Sequence, residues 1–194
     1  MTGDVRYSRT AMTLHWIIAL LMIVNVGLAW TWPYVADESV RPLIDNHKSI
    51  GITVLGLALL RLLWRIGHRP PAMPAYARWE RAAAHAVHGL LYLIMLGLPL
   101  TGWIMDSAWK DAATHPMYFW HSFEWPRIGF IMALDPATKK GIHDVFGAAH
   151  EILGKILYGL FVLHVAGALK HQFQGHREIQ RMWPWGRAEA GPAE

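Results

Sequence analysis

Four histidines sit within or at the edge of apolar sequence: His15 in Leu14-His15-Trp16, His47 in Asn46-His47-Lys48, His150 in Ala149-His150-Glu151 and His164 in Leu163-His164-Val165. An imidazole inside an apolar helix loses its hydration, so at membrane depth it is a functional candidate by default. Neutral imidazole suits iron, copper or zinc. The cysteine count of zero removes thiolate chemistry: disulfides, iron–sulfur clusters, zinc–thiolate sites and covalently attached c-type haem are all excluded. One histidine near a helix end is more often a hydrogen-bonded interfacial residue than a ligand. Several at matched depths on different helices reverse that weighting. His150 and His164 lie fourteen positions apart. At about 100° and 1.5 Å per helical residue they share a face to within about 40° and are separated by about 21 Å. One helix can therefore serve two stacked cofactors, with His15 facing His164 at one level and His47 facing His150 at the other, as bundle interiors commonly hold cofactors between facing helices.

Other histidines compete. His85 and His88 are rivals for the site of His15 and His164, lying one turn apart near the start of the third apolar run. His143 and His171 extend the His150/His164 face at either end, but their separation of about 42 Å exceeds a hydrocarbon core of about 30 Å, which places them at the interfaces. A small residue follows each favoured histidine by four positions (Ala19, Gly51, Gly154, Ala168) and lets a porphyrin approach the backbone. His85, His143 and His171 pass the same test, so it does not select among them. His68, His115, His121 and His176 fall in loops or the tail and receive no role.

The elements that must carry these residues follow from composition. The chain has 194 residues, 54% hydrophobic and 16% charged, against roughly 45–50% and 25% in soluble domains. That imbalance points to a bilayer, which accepts helices of about 20 apolar residues. The sequence predicts an all-α, integral membrane four-helix bundle forming a single domain over 1–194, with spans at approximately 12–32, 47–66, 82–105 and 145–170. Met12–Trp32 and Ala82–Met105 are uncharged throughout. The second and fourth spans reach full length only by including ionisable residues near their ends, where Lys48 and Arg61 snorkel and Glu151 pairs with Lys155 at i,i+4.

Loop charge sets orientation, because lysine and arginine are retained in the cytoplasm. One side holds Arg6, Arg9, Arg61, Arg65, Arg69, Arg78, Arg81, Lys170, Arg177, Arg181 and Arg187; the other holds Arg41, Lys48, Lys110, Arg127, Lys139 and Lys140. Both termini are therefore expected to be cytoplasmic. The first apolar run is too long for a secretory signal and ends in an anchoring Trp30-Thr31-Trp32-Pro33. The net charge of +4 does not indicate nucleic acid, since the basic residues lie between apolar runs rather than on one wetted face. Arg69-Pro70-Pro71-Ala72-Met73-Pro74 reads as a stiff linker, and the tail after Pro184 as a disordered end. Between the third and fourth spans lies a long outer segment rich in aromatics, Asp106 to about Asp144, for which a short interfacial helix is expected.

Tyr7-Ser8-Arg9, Leu14-His15-Trp16, Arg41-Pro42-Leu43-Ile44, His47-Lys48-Ser49-Ile50-Gly51 and Leu60-Arg61-Leu62-Leu63-Trp64-Arg65 form a set with Ala84-His85-Ala86-Val87-His88, Leu98-Pro99-Leu100-Thr101-Gly102, His150-Glu151-Ile152-Leu153-Gly154 and Leu163-His164. From Tyr7 to about His171 this set resembles the bacterial and hydrogenase-type cytochrome b561 family. The resemblance implies two non-covalent b-type haems in a four-helix bundle of the bacterial inner membrane, with ligand positions matching His15, His47, His150 and His164. It also implies ubiquinone as a redox partner, and its superoxide oxidase group implies superoxide as an electron source. The long aromatic outer segment is where this sequence departs from the pattern.

Two imidazoles on each iron leave dioxygen no open position, which favours electron transfer over oxygen activation. The leading expectation is di-haem transmembrane electron transfer linked to the quinone pool, extending to superoxide oxidation with ubiquinone reduction. The alternative is a haem-bearing anchor subunit of a larger dehydrogenase or hydrogenase, with a soluble redox partner on the outer face. A non-redox metal transporter ranks third, because neither repeats nor broken midplane helices are present. Superoxide capture calls for a positive outer funnel. Lys110, Arg127, Lys139 and Lys140 are outnumbered by Asp106, Asp111, Glu124, Asp135 and Asp144, leaving Lys48, Lys139 and Lys140 as the cations that could gather near the outer site.

Overall fold

The structure is a computed structural model that describes residues 6–73 and 76–185. Four long helices dominate: α1 (Arg9–Thr31), α2 (Asp37–Gly67), α3 (Arg78–Ser107) and α5 (Pro136–Phe173). All four are long and apolar enough to cross a membrane. A 3-10 turn (Trp32–Tyr34) joins α1 to α2. Strands β1 (Tyr118–Phe119) and β2 (Phe123–Glu124) and the short helix α4 (Gly129–Met132) lie between α3 and α5, and α6 (Glu178–Met182) closes the chain. Pro74, the expected disordered tail beyond Trp185 and Arg187 lie outside the described residues.

The helices run further than the apolar stretches because local chemistry sustains them in water. Ser8 Oγ accepts the Ala11 amide at 3.3 Å and caps α1. Asp37 and Glu38 occupy the first turn of α2, where acidic side chains favour the helix dipole. Asp135 Oδ1 accepts the Ala137 and Thr138 amides at 3.0 and 3.1 Å, and Pro136 follows at the first helical position, where its missing N–H is harmless. Those hydrogen bonds, led by the one to Thr138, hold the Asp135 carboxyl below the usual range. Lys140 pairs with Asp144 at 2.5 Å, so α5 begins nine residues ahead of the span start at 145. At the other end of α2, His68 is extended and Pro70-Pro71 prevent continuation.

α1 packs along α2, α2 along α3 and α3 along α5; α5 makes no comparable run of close backbone contacts with α1 or α2 among the described residues. One apolar core joins Ile18 of α1 to Ile50, Val54 and Ala58 of α2 and Met95 of α3. A second joins Ile94 of α3 to Leu157 and Leu160 of α5, with Met22 and Val26 of α1 beside them. The side chains turned outward are as apolar as those inside. Leu20, Leu63, Leu93 and Val162 are each more than 60% exposed, which suits lipid rather than water. Glu151 and Lys155 form their ion pair at 2.7 Å on this outer surface.

One end of the bundle carries the first and last described residues; the other carries the 108–135 segment. The expected short helix is present as α4, and with it a hairpin that the sequence reading did not anticipate. β1 pairs antiparallel with β2, Tyr118 opposite Glu124 and Phe119 opposite Phe123. Three residues, Trp120 to Ser122, join the strands; Trp120 (φ 48°) and His121 (φ 56°) lie in the left-handed region, as tight hairpin turns often require, without the usual glycine or asparagine. Contacts to α2 hold that conformation. Trp120 N donates to Ser49 Oγ at 3.0 Å, Ser49 Oγ donates to the Tyr118 carbonyl at 3.3 Å, and Trp120 Nε1 donates to Thr53 Oγ1 at 3.0 Å. Below the segment, Asp106 is 6% exposed and bonds Lys48 Nζ at 2.6 Å and Arg127 Nε at 2.9 Å. Arg127 Nη1 in turn donates to the carbonyls of Ala112 at 2.5 Å and His115 at 2.8 Å.

Candidate functional site

Two pairs of imidazoles face each other across the gap that α5 leaves toward α1 and α2. At the termini end, His15 of α1 and His164 of α5 have ring centres 6.0 Å apart and planes 70° apart. At the hairpin end, His47 of α2 and His150 of α5 stand 6.1 Å apart at 68°. A metal ion lies about 2 Å from a ligating imidazole nitrogen, itself about 1.2 Å from the ring centre, so two rings on opposite sides of one ion stand about 6.4 Å apart. Both pairs meet that spacing, and the fourteen residues of α5 between His150 and His164 separate the levels by about 21 Å.

Hydrogen bonds fix which nitrogen is available at the hairpin end. His47 Nδ1 lies 3.1 Å from the Asn25 backbone carbonyl, and His150 Nδ1 lies 3.0 Å from the Leu98 carbonyl and 3.1 Å from Thr101 Oγ1. A carbonyl only accepts, so Nδ1 carries the proton in both rings and Nε2 keeps its lone pair, the arrangement usual for a metal-binding histidine. Thr101 directs its own hydroxyl proton to the carbonyls of Gly97 and Leu98, leaving its oxygen to accept from His150. Gly102 has a steric role beside it: a Cβ there would stand 3.3 Å from His150 Cε1. Trp32 packs edge-on against His47 at 5.3 Å. Thr101 and Gly102 belong to a motif visible in the sequence; their contact with His150 was not, since it depends on the helix pairing. The Asn25 carbonyl carries no side-chain signal.

At the termini end, no hydrogen bond holds the ring of His15 or His164 among the described residues. His88 of α3 is close by, its ring 5.2 Å from that of His164 at 83°. This separation is about 1 Å too short for a metal held between the two rings, and His88 Nδ1 is committed to the Ala84 carbonyl at 2.6 Å. His85 is exposed on the same helix. His143 bonds the Met105 carbonyl at 2.9 Å, and His68 stacks on Trp64 at 3.7 Å. His171 stacks on Tyr76 at 4.0 Å, with His176 against the ring edge. Tyr76 donates to Glu178, and burial together with that bond pushes its phenol above the usual range.

Two of the three cations expected to gather beside the hairpin-end site are engaged in ion pairs: Lys48 with Asp106, which it shares with Arg127, and Lys140 with Asp144.

A family model described as prokaryotic cytochrome b561 matches residues 6–185. The chain is 29% identical over 171 residues to cytochrome b561 homolog 2 of Escherichia coli K12, covering 87% of this chain and 85% of that protein. It is 26% identical over 173 residues to the probable superoxide oxidase CybB of Yersinia pestis, covering 87% and 89%. Cytochrome b561 homolog 1 of E. coli K12 is 28% identical over 185 residues, 92% of this chain and 97% of that protein. With four helices long enough to span a bilayer and facing histidines between them, the chain belongs to the prokaryotic cytochrome b561 family, multi-pass proteins of the bacterial inner membrane that bind b-type haem and transfer electrons.

Proposed function

We propose that the protein holds two b-type haems, one between His47 and His150 and one between His15 and His164, and passes electrons between the two membrane faces in exchange with the quinone pool. The observation that carries this reading is the pair of facing imidazoles at 6.0 and 6.1 Å, two rings per site at two levels of one helix. Both termini lie in the cytoplasm on this reading, supported by the excess of lysine and arginine in the sequence segments on that side, so His15 and His164 serve the inner site and His47 and His150 the outer one.

Haem b, when bound, supplies a one-electron iron couple. The chain's own residues set its conditions. His47 with His150, and His15 with His164, would hold the two haem irons and would leave dioxygen no open position. The Asn25 and Leu98 carbonyls, with Thr101, hold the outer rings in one tautomer and raise their basicity. Ile18, Ile50, Val54 and Met95, together with Ile94, Leu157 and Leu160, fill the bundle between and around the levels and keep water from the path. Ubiquinone is the small-molecule partner in this reading, and the lipid bilayer is its source. Superoxide as the electron donor is supported by the name of the Yersinia relative, while the ion pairs that engage Lys48 and Lys140 weaken the case for electrostatic capture of that anion.

Pyridine haemochrome quantitation of the purified protein tests the core of the proposal: two haems per chain are expected, and one or none overturns it. Adding superoxide and ubiquinone to the fully loaded protein in lipid then separates the donors. Quinol formation identifies superoxide oxidation; its absence leaves quinone-linked transfer with another donor, including a soluble partner to which the chain serves as the membrane anchor.

A further inference from the structure

A cavity of about 500 Å³ opens at the termini end, between the start of α1, the last turns of α2 and the linker that follows, with Tyr92 of α3 and Met182 of α6 completing the wall. Four arginines line it, Arg6, Arg61, Arg65 and Arg69, and among the described residues no aspartate or glutamate does. Elsewhere the protein partners its buried guanidiniums with carboxylates: Arg127 with Asp106, and Arg181 with Glu178 at 3.0 Å. Arg61 and Arg65 have no carboxylate within ion-pair distance among the described residues. Arg61 is only partly exposed, with its Cζ 5.4 Å from the Tyr92 ring centre. A guanidinium partly withdrawn from water without an anion is costly, and Arg61, with the exposed Arg65 one turn further along the same helix, makes a ready anion site. The remaining wall supplies Tyr7, Trp64 and Tyr92, aromatic side chains that suit the ester and glycerol portions of an amphiphile. The volume exceeds what a bare phosphate needs, and the cavity sits where α2 leaves the bilayer.

We propose that this cavity binds the phosphodiester headgroup of an anionic phospholipid, with Arg61 and Arg65 as its principal ligands. Guanidinium forks match phosphate oxygens in pairs, and basic pockets at a membrane face are where such headgroups are taken up. The same anion chemistry has two other sources, free phosphate and the carboxylates of a haem held by the neighbouring His15 and His164, and the experiment separates them.

Native mass spectrometry of the purified holoprotein, titrated with dioleoyl phosphatidylglycerol, dioleoyl phosphatidylcholine and inorganic phosphate in turn, provides the test. Phosphatidylglycerol is expected to bind about tenfold or more tighter than phosphatidylcholine, a difference typical of gained charge-assisted contacts. The double variant R61Q/R65Q should lose that preference, while R81Q, an exposed arginine outside the cavity, should retain it. R69Q, at the exposed mouth of the cavity, provides a milder loss should the double variant fail to accumulate. Equal binding of the two lipids, or an equal loss in R81Q, overturns the proposal. Displacement of phosphatidylglycerol by an equimolar amount of inorganic phosphate assigns the site to the free ion and also overturns it. So does a double variant that keeps its lipid preference but loses one haem, since the arginines then serve the cofactor. The lipid readout does not depend on electron transfer, so its failure is distinct from failure of the di-haem reading.

Discussion

His150 is oriented by groups that carry no chemistry of their own. Leu98 contributes a carbonyl, Thr101 a hydroxyl oxygen and Gly102 the lack of a side chain. In Gly102→Ala the new methyl meets the ring at 3.3 Å, tighter than ordinary van der Waals contact, so the imidazole must shift by a few tenths of an ångström. The expected outcome is a shifted midpoint potential or partial loss of the outer haem, with the inner one unchanged; potentiometric titration followed in the visible spectrum reads both. The ligand assignment makes a sharper prediction. His47→Ala and His150→Ala should each remove the outer haem alone, His15→Ala and His164→Ala the inner haem alone, and His88→Ala neither, measured by haem stoichiometry. Loss of the inner haem in His88→Ala with its retention in His15→Ala would show that α3 rather than α1 supplies the ligand.

Among the elements, the long helices were legible because uncharged runs such as Met12–Trp32 exceed what any soluble helix needs. Their ends were less so. Asp135 and Pro136 are a readable start signal, yet the span was expected from 145 because membrane length, not capping, was the criterion. The hairpin was obscured by its own residues: Trp120 and His121 adopt left-handed backbone that sequence rules assign to glycine, asparagine or aspartate, and only the Ser49 and Thr53 hydroxyls of α2 explain how they remain there. The four histidine positions were readable from depth, whereas the Thr101–His150 contact required knowing which helices adjoin. Asp106 ties this segment to the bundle. Asp106→Asn leaves Lys48 and Arg127 without their shared anion in a largely buried site, and breaking such a pair costs about 3–5 kcal/mol. Hydrogen exchange should register the change as faster exchange across 108–128, with the α1–α2 core protected as before; unaltered exchange in that segment would mean that its aromatic packing suffices.

At the scale of the whole molecule, the asymmetric basic residues predict orientation. A fluorescent protein fused after Glu194 should fold and emit, as it does only in the cytoplasm, and alkaline phosphatase in the same place should be inactive. The reverse result would exchange inner and outer throughout the proposed path while leaving the histidine pairing intact. Electron transfer across the bilayer by the proposed di-haem path needs two sites at a constant separation, and on that reading the architecture provides this by placing one imidazole of each on α5, which runs unbroken from Pro136 to Phe173. That helix works as a ruler. One residue inserted between Gly154 and Leu163 would swing His164 about 100° from His15, whereas a seven-residue insertion would return it to within about 20° of its heading but about 10 Å too far along. The spacing of the two sites is thus written into a count of residues, and evolution can retune each site's surroundings freely but can alter the gap only in steps that sever one grip altogether.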